Sequence, residues 1–245
     1  MVKSRTTAQG WAARARRLAD AEMAQDPAHD LNHLDRVWST ARQLLLSHPE
    51  ADAVVVAIAC YLHDLVNLPK NNPRRAQASA LSAGRARVLL VPAGLDELRI
   101  QAVEHAITAH SYSAAVTPRS VEAWIVQDAD RLDALGAVGL ARMFSIGGAL
   151  GRALAHPTDP LARARELDDG RYTLDHIELK LAGLPASMGT EAGRRLGAQR
   201  LACLREFRAA FAREWLFEEQ AGHRAGEGVA QSVGVSAQPH IDSGV

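Results

Sequence analysis

Apolar residues recur three and four positions apart along most of the chain, and alternating runs of β-branched residues are nearly absent. This spacing is typical of α-helices that bury one face. The pattern therefore predicts an all-α protein. In the first part of the chain, helices are predicted from residue 7 to 24, from a cap at Asp30 or Asn32 to 47, from 51 to 64, from Pro73 to 90, from 95 to 109, and from 119 through the segment QDADRLDALG.

The second part of the chain has a different composition. Glycines and other small residues in GAVGLARMFSIGGALG predict close helix packing and a bend, and HPTDPLARARELDDGRY reads as a loop. Two further helices are predicted over 174–182 and 190–219; the second is amphipathic and suits either the closing of a core or a homodimer seam. We expect one domain over 1–220, with its core at about 25–145 and C-terminal helices at 173–220. Residues 221–245, rich in Gly, Ser, Ala and Gln, predict a disordered tail.

Charge and cysteine content narrow the class of protein. The 28 basic residues balance 28 acidic ones, which argues against polymeric nucleic acid or an anionic membrane as a partner bound through bulk charge. No apolar run approaches the roughly 20 residues that a membrane span needs. Two cysteines lie far apart, and the first residues have no apolar signal-peptide core. These features predict a cytoplasmic protein.

Four ionisable residues fall where the predicted helices bury apolar groups: His33, His63, Asp64 and Asp130. Each has an ordinary explanation alone, as a hydrogen-bonded core histidine, a turn carboxylate or a helix cap. Together they supply two imidazoles and two carboxylates from three helices. These ligand types suit Mn²⁺, Fe²⁺, Ni²⁺ or Zn²⁺ with positions left for water. The sequence thus predicts a divalent metal site.

The motifs around these residues resemble a known family. His33-Leu34-Asp35-Arg36-Val37, then Leu62-His63-Asp64, then Ala129-Asp130-Arg131-Leu132, in this order on an all-α background, resemble the HD-domain metal-dependent phosphohydrolases. The segments CYLHDLVNLPKNNPRR, AITAHSYS, VQDADRLDALGAVGLARMF and LDDGRYTLDHIELKL extend the resemblance over most of residues 15–220. They are similar to a bacterial subgroup related to manganese-dependent nucleoside triphosphate pyrophosphohydrolases.

The resemblance implies a fold, a cofactor and a reaction. The fold would be an HD-domain helical bundle with additional C-terminal helices. His33, His63, Asp64 and Asp130 would hold a divalent metal ion, Mn²⁺ first, with Ni²⁺, Co²⁺, Fe²⁺, Zn²⁺ or Mg²⁺ as alternatives. Metal-activated water would hydrolyse a phosphate ester or anhydride of a phosphorylated small molecule, a nucleotide above all, with Asp64 also in a catalytic role. Asn67 stands where some HD nucleotidases have a catalytic carboxylate, which leaves no acid or base at that position.

Basic residues follow the HD pair closely. Lys70, Arg74 and Arg75 lie in a loop bounded by prolines, where they are predicted to bind the phosphates of the substrate; a solvated basic loop is the alternative. His110 ends the predicted fifth helix on an apolar face. It is a candidate for substrate binding, for proton transfer as a catalytic residue, or for a second metal, with a core histidine as the alternative.

Further polar residues are candidates for supporting the ligands. Arg36 and Arg131 are predicted to pair with carboxylates of the site, and surface salt bridges are the alternative. Asp128 is predicted to accept a hydrogen bond that orients a histidine ligand, and a solvated carboxylate at a helix end is the alternative. Asp133 is either a similar acceptor or a solvated carboxylate at a helix end.

Two other functions fit the same residues. A di-iron HD-type oxygenase would need His105 or His110 to complete a second metal site. The other is a metal-stabilised helical module that binds a nucleotide or a partner without turnover.

Overall fold

The computed structural model describes residues 7–22, 31–68 and 72–216. Over these residues every regular element is helical, which confirms the all-α prediction; the β structure there is one isolated bridge, between Ala153 and Tyr172. The α-helices are α1 (Ala8–Glu22), α2 (Leu31–Leu45), α3 (Ala53–Leu62), α4 (Ala78–Leu90), α5 (Glu97–His110), α6 (Val121–Asp133), α7 (Gly136–Ala149) and α8 (Glu191–Trp215). Single helical turns occur at Arg75–Gln77, Tyr112–Ala114, Thr173–Asp175, Ile177–Leu181 and Pro185–Ser187.

Helix α3 is the centre of the bundle. Every residue from Val54 to Leu62 is buried, as expected for a helix that is apolar all round. The helix contacts α1, α2, α5 and α6. Its first turn is capped by Asp52, whose side chain accepts a hydrogen bond from the Val54 N–H at 2.9 Å. The buried C-terminal end of α3 therefore faces several other helices.

Some predicted helix starts differ from the structure. Pro73 does not open α4, because the Asn72 side chain accepts the Arg74 N–H at 2.8 Å and holds the chain in a turn before the helix. Asn32 lies inside α2 rather than at its cap, and Asp30 lies outside the described residues. The predicted helix 174–182 consists instead of the turns Thr173–Asp175 and Ile177–Leu181.

Helices α6 and α7 meet at an elbow with a bend of 66°. Gly136 has a φ of +72° there, and a Cβ on Gly139 would overlap the carbonyl group of Ala134. These positions explain why the segment is rich in glycine. Within the described ranges, no single helix is long and apolar enough to cross a membrane, although the bent pair of α6 and α7 would be by length and composition alone.

Helix α8 closes the C-terminal side of the molecule. The ring of Phe144 on α7 lies 5.8 Å from that of Phe207, and the rings of Phe211 and Trp215 are stacked at 5.2 Å. The amphipathic face of α8 is thus packed, at least in part, within the chain. The ends of the predicted helices at 23–24 and 217–219 and the predicted tail at 221–245 lie outside the described residues.

Candidate metal centre

Five ionisable side chains from four helices meet at the C-terminal end of α3. His33 comes from the buried face of α2, His63 and Asp64 follow the last residue of α3, His110 ends α5, and Asp130 lies in the last turn of α6. The three histidines are buried, with exposed fractions of 1%, 0% and 7%. Buried imidazoles need polar partners. The carboxylates of Asp64 and Asp130 supply the neighbouring charge.

The Nε2 atoms of the three histidines point toward these two carboxylates. His63 Nε2 lies 3.7 Å from an oxygen of Asp64 and 3.7 Å from one of Asp130. His33 Nε2 lies 3.5 Å from Asp130, and His110 Nε2 lies 3.7 Å from Asp64. Candidate ligand atoms lie within 4.8 Å of one another in two groups that share His63, one with His33 and Asp64 and one with His110 and Asp130.

The other ring nitrogen of each histidine has its own acceptor. His33 Nδ1 lies 2.8 Å from Asp133, His63 Nδ1 lies 2.9 Å from the carbonyl oxygen of Cys60, and His110 Nδ1 lies 2.5 Å from that of Ile107. In the neutral ring this contact places the proton on Nδ1 and leaves the Nε2 lone pair facing the carboxylates. That is the tautomer of a metal-ligating histidine.

His63 provides the test of whether a metal ion fits. Its Nε2 is fully buried and has no hydrogen-bond partner among the described residues. A buried polar atom without a partner costs roughly 1–3 kcal/mol. A divalent cation between Asp64 and Asp130 would complete its coordination, and the set of imidazole and carboxylate donors suits Mn²⁺ and related ions. The residues present therefore fit a divalent metal ion.

The electrostatics of the metal-free cluster point the same way. Burial lowers the pKa of His63, but the charges of Asp64 and Asp130 outweigh it and raise that pKa to about 9. Burial and the neighbouring His63 lower the pKa of His110, so this ring is neutral at neutral pH. Although burial alone would raise it, the pKa of Asp130 is held well below its usual value by the histidines around it. The cluster thus attracts positive charge.

Asp133 contacts the cluster through the Nδ1 atom of His33. It is 4% exposed, so it is not a solvated helix-end carboxylate. Besides its contact with His33, it accepts hydrogen bonds from Arg36 at 2.8 and 3.0 Å and from Arg142 at 2.7 Å. Burial alone would raise its pKa, but these partners hold it well below the usual value. Arg36, predicted to support the ligands, acts here through Asp133.

Asp128 and Arg131 lie elsewhere than predicted. The Asp128 carboxylate accepts hydrogen bonds from the N–H groups of Gly189 and Thr190 at 3.0 and 2.8 Å and from the Thr190 hydroxyl at 2.7 Å. It therefore ties α6 to the start of α8 and orients no histidine of the cluster. Arg131 donates to the carbonyl and hydroxyl oxygens of Ser187 at 2.8 and 3.0 Å, which places it on the same connection.

The predicted phosphate-binding loop is partly described. Lys70 lies outside the described residues. Arg75 donates to the Asn67 side chain at 2.7 Å and to the Leu68 carbonyl at 2.5 Å, so it braces the chain just after the HD pair. Arg74 donates to Gln77 at 3.0 Å.

His105, the other candidate for a second metal site, lies apart from the cluster. Its Nε2 accepts the Arg119 N–H at 2.9 Å.

Comparisons with known proteins place the chain in a class. The family model of the HD domain matches residues 30–135, the region that contains all five cluster residues. YpgQ of Bacillus subtilis (strain 168) is 32% identical over 180 residues, which span 72% of this chain and 79% of YpgQ. The chain belongs to the HD domain family.

Solved structures agree with this assignment. The crystal structure of B. subtilis YpgQ in complex with ADP has a TM-score of 0.67 at 28% identity and covers 84% of this chain and 96% of YpgQ. That of an HD-superfamily hydrolase from Bacillus thuringiensis has a TM-score of 0.65 at 29% identity, with 85% and 98% covered. The fold is that of the HD-superfamily hydrolases.

Proposed function

We propose that the protein is a metal-dependent phosphohydrolase that acts on nucleotides, with His33, His63, Asp64 and Asp130 as the metal ligands. The observation that carries the proposal is the buried His63 Nε2, which has no hydrogen-bond partner among the described residues and lies 3.7 Å from each of the two carboxylates. The imidazoles of His33 and His63, held by their Nδ1 atoms, and the two carboxylates make a donor set that suits Mn²⁺, the ion we favour.

The metal ion and the protein have separate tasks in this proposal. A bound divalent ion lowers the pKa of water and polarises a phosphoryl oxygen. Asp64 serves both as a ligand and as the carboxylate nearest His110, at 3.7 Å. His110 is neutral at neutral pH because burial and His63 lower its pKa, so it can take up a proton during hydrolysis.

Nucleotides are the substrate class that the relatives favour. The YpgQ structure that this fold resembles holds ADP. Lys70, Arg74 and Arg75 follow the HD pair in sequence, and arginine binds phosphate through two parallel hydrogen bonds. We assign these three residues to the phosphate chain, with Arg75 also fixing the loop through Asn67 and Leu68.

Two alternatives use the same cluster. The group of His63, His110 and Asp130 offers ligands for a second metal, which a di-iron oxygenase would need. His105 is a poorer candidate because its Nε2 already accepts a backbone hydrogen bond. A module that binds nucleotides without hydrolysing them would retain the metal and show no turnover.

The experiment is a hydrolysis panel. Nucleoside mono-, di- and triphosphates are incubated with the full chain and Mn²⁺, Ni²⁺, Co²⁺, Zn²⁺ or Mg²⁺, and phosphate and pyrophosphate are measured separately. We expect metal-dependent release of one of them. Pyrophosphate from triphosphates would identify a pyrophosphohydrolase, and phosphate from monophosphates a nucleotidase.

Asp64→Ala is the test variant, and Asp20→Ala, which removes an exposed carboxylate of α1, is the matched control. Loss of turnover in the first alone supports the proposal. No turnover with any ion, in a protein that still binds metal, contradicts it and favours the non-catalytic module; oxygen consumption with two metals per chain favours the oxygenase.

We further propose that the protein acts in the cytoplasm as one domain over 1–220. A homodimer stays a prediction.

A further inference from the structure

A cleft of about 470 Å³ is lined by Asp133, whose carboxylate also contacts His33. Its walls are the outer face of α2, the elbow between α6 and α7, and α8. Arg36, Thr40, Gly136, Arg200 and Cys203 are among the residues that line it. Neither Arg74 nor Arg75 is among the described residues that line it.

Positive charge dominates the cleft. Arg36 and Arg200 both line it, and among the described residues that line it Asp133 is the single carboxylate. Asp133 is already engaged by Arg36, Arg142 and His33. Arg200 donates to the Leu132 carbonyl at 2.6 Å and makes no other hydrogen bond within the described ranges. Since a guanidinium has five N–H donors and stays charged, Arg200 offers donors to a ligand.

The first turn of α7 opens into the same cleft. Gly136, Ala137 and Val138 line it, and the residue before the helix, Leu135, provides no capping hydrogen bond from its side chain. The N–H groups of a helix start carry partial positive charge. They add to the guanidinium charge on one side of the cleft.

The Thr40 side chain completes the polar lining. Thr40 is 6% exposed and lines the cleft, and its side chain makes no hydrogen bond in the part of the chain that the structure describes. A hydroxyl can both donate and accept a hydrogen bond, so this one is available to a polar group in the cleft. The observation is independent of the helix start.

We propose that this cleft binds the phosphate group of a small molecule through Arg200, Arg36, the Thr40 hydroxyl and the start of α7. Arginine and helix N-termini are the donors that recognise phosphate in proteins. Asp133 belongs to the wall of the cleft and also contacts His33 at 2.8 Å, so the bound phosphate lies one side chain away from the metal cluster.

Cys203 is a built-in reporter for the test. It lines the cleft and is exposed, whereas Cys60 is buried. The alkylation rate of Cys203 in the full chain is measured with N-ethylmaleimide, an uncharged reagent, at increasing inorganic phosphate and at constant ionic strength set with chloride. We expect phosphate to slow the alkylation with a saturable dependence.

Variants identify the donors. Arg200→Gln should raise the phosphate concentration for half-protection about tenfold, the effect of losing a charge-assisted hydrogen bond. Thr40→Val keeps the shape of the side chain and should also raise the phosphate concentration for half-protection. This second variant tests the proposal even if Arg200→Gln does not fold. The control is Arg195→Gln on the exposed face of α8, where the arginine pairs with Glu191 at 3.3 Å; it should leave half-protection unchanged.

Several results would overturn the proposal: no saturable protection, equal protection in Arg200→Gln and Arg195→Gln, or protection that disappears on addition of EDTA, which would place the phosphate on a metal. AMP is tested beside phosphate. Half-protection at a lower AMP concentration assigns the cleft to a nucleotide, and equal concentrations assign it to the phosphate group alone. The assay measures no turnover, so its outcome is separate from that of the proposed hydrolase activity.

Discussion

At the scale of single residues, the three imidazoles of the cluster are oriented in the same way. Each Nδ1 is held by an acceptor, a carboxylate for His33 and main-chain carbonyls for His63 and His110. Each Nε2 is thereby turned toward Asp64 or Asp130. Rings fixed in this way are prepared for a metal before it binds, which reduces the cost of ordering them.

The support from Asp133 can be tested by Asp133→Asn. The amide would weaken the acceptor for the His33 Nδ1–H and leave Arg36 and Arg142 without their carboxylate. We expect the affinity for Mn²⁺, measured by calorimetry, to fall about 10–100-fold.

The control for this variant is Asp128→Asn, a change of the same kind at a buried carboxylate of the same helix. It should lower the melting temperature through loss of the bonds to Gly189 and Thr190, and change the affinity for Mn²⁺ less than about threefold. Equal loss of affinity in both variants would contradict the role of Asp133.

The raised pKa of His63 predicts opposite effects of pH on the metal-free fold and on metal binding. Its pKa is about 9 in the folded chain and roughly 6.5 when unfolded, so its contribution to stability is complete below about pH 6.5 and is lost as the pH rises through 9. A metal binds the deprotonated ring, so the affinity should rise up to tenfold per pH unit, roughly, below pH 9.

The measurement compares melting temperature without metal and Mn²⁺ affinity between pH 6 and 8. His63→Gln is the control and should lack this part of the pH dependence of stability. An affinity for Mn²⁺ that stays constant over this range would rule out His63 as a ligand that must lose a proton.

The sequence was enough to propose the ligands but not their supporting residues. His33, His63, Asp64 and Asp130 could be selected because they interrupt apolar patterns. Asp128 and Asp133 occupy similar positions on α6, yet one binds the start of α8 and the other binds His33. This difference depends on which helix packs against each side of α6. The spacing of residues in the sequence does not give that information.

At the scale of elements, helix contacts in the C-terminal part depend on small residues. A Cβ on Gly147 would overlap the side chain of Thr173, whereas one on Gly148 would meet nothing within 4 Å. Two adjacent glycines of α7 therefore have opposite expected responses to the same substitution.

Gly147→Ala should destabilise the fold by about 1–3 kcal/mol through overpacking. Gly148→Ala, its matched control, should be neutral or stabilise by up to about 1 kcal/mol, because alanine restricts the unfolded chain. Urea denaturation gives both values. A free energy of unfolding that changes equally in the two variants would show that the packing of α7 against Thr173 is not tight.

Long helices with regular apolar spacing were predictable, and short turns were not. The helices α2, α3, α5 and α6 lie within about two residues of their predicted bounds, α1 and α8 begin within one residue of theirs, and α4 begins five residues later than predicted. The turns at Arg75–Gln77 and Ile177–Leu181 depend on a few local hydrogen bonds, such as that from Arg74 N–H to the Asn72 side chain and that from Ala182 N–H to the Ile177 carbonyl at 2.8 Å. The spacing of apolar residues does not reveal where such local hydrogen bonds compete with a regular helix.

At the scale of the whole molecule, the cluster joins helices that are distant in sequence. His33 on α2, the HD pair after α3, His110 on α5 and Asp130 on α6 meet at one point. A metal bound there would link the elements that form the core of the bundle. Binding to the folded state alone stabilises it by mass action.

Removal of metal should therefore lower the stability of the whole fold. At a Mn²⁺ concentration 100-fold above the dissociation constant the stabilisation is about 2.7 kcal/mol, which corresponds to roughly 5–10 °C for a chain of this size. Thermal unfolding with Mn²⁺ and with EDTA measures the difference. Asp64→Ala should show no difference, and an equal shift in this variant would mean that the ion binds elsewhere.

The most direct test of the central claim combines metal content and turnover in the same samples. Mn²⁺ bound per chain and the rate of nucleotide hydrolysis are measured for the unmodified chain and for Asp64→Ala. We predict one metal ion per chain and metal-dependent hydrolysis in the first, and loss of both in the second. Hydrolysis that persists in Asp64→Ala would contradict the assignment of the cluster as the catalytic metal site.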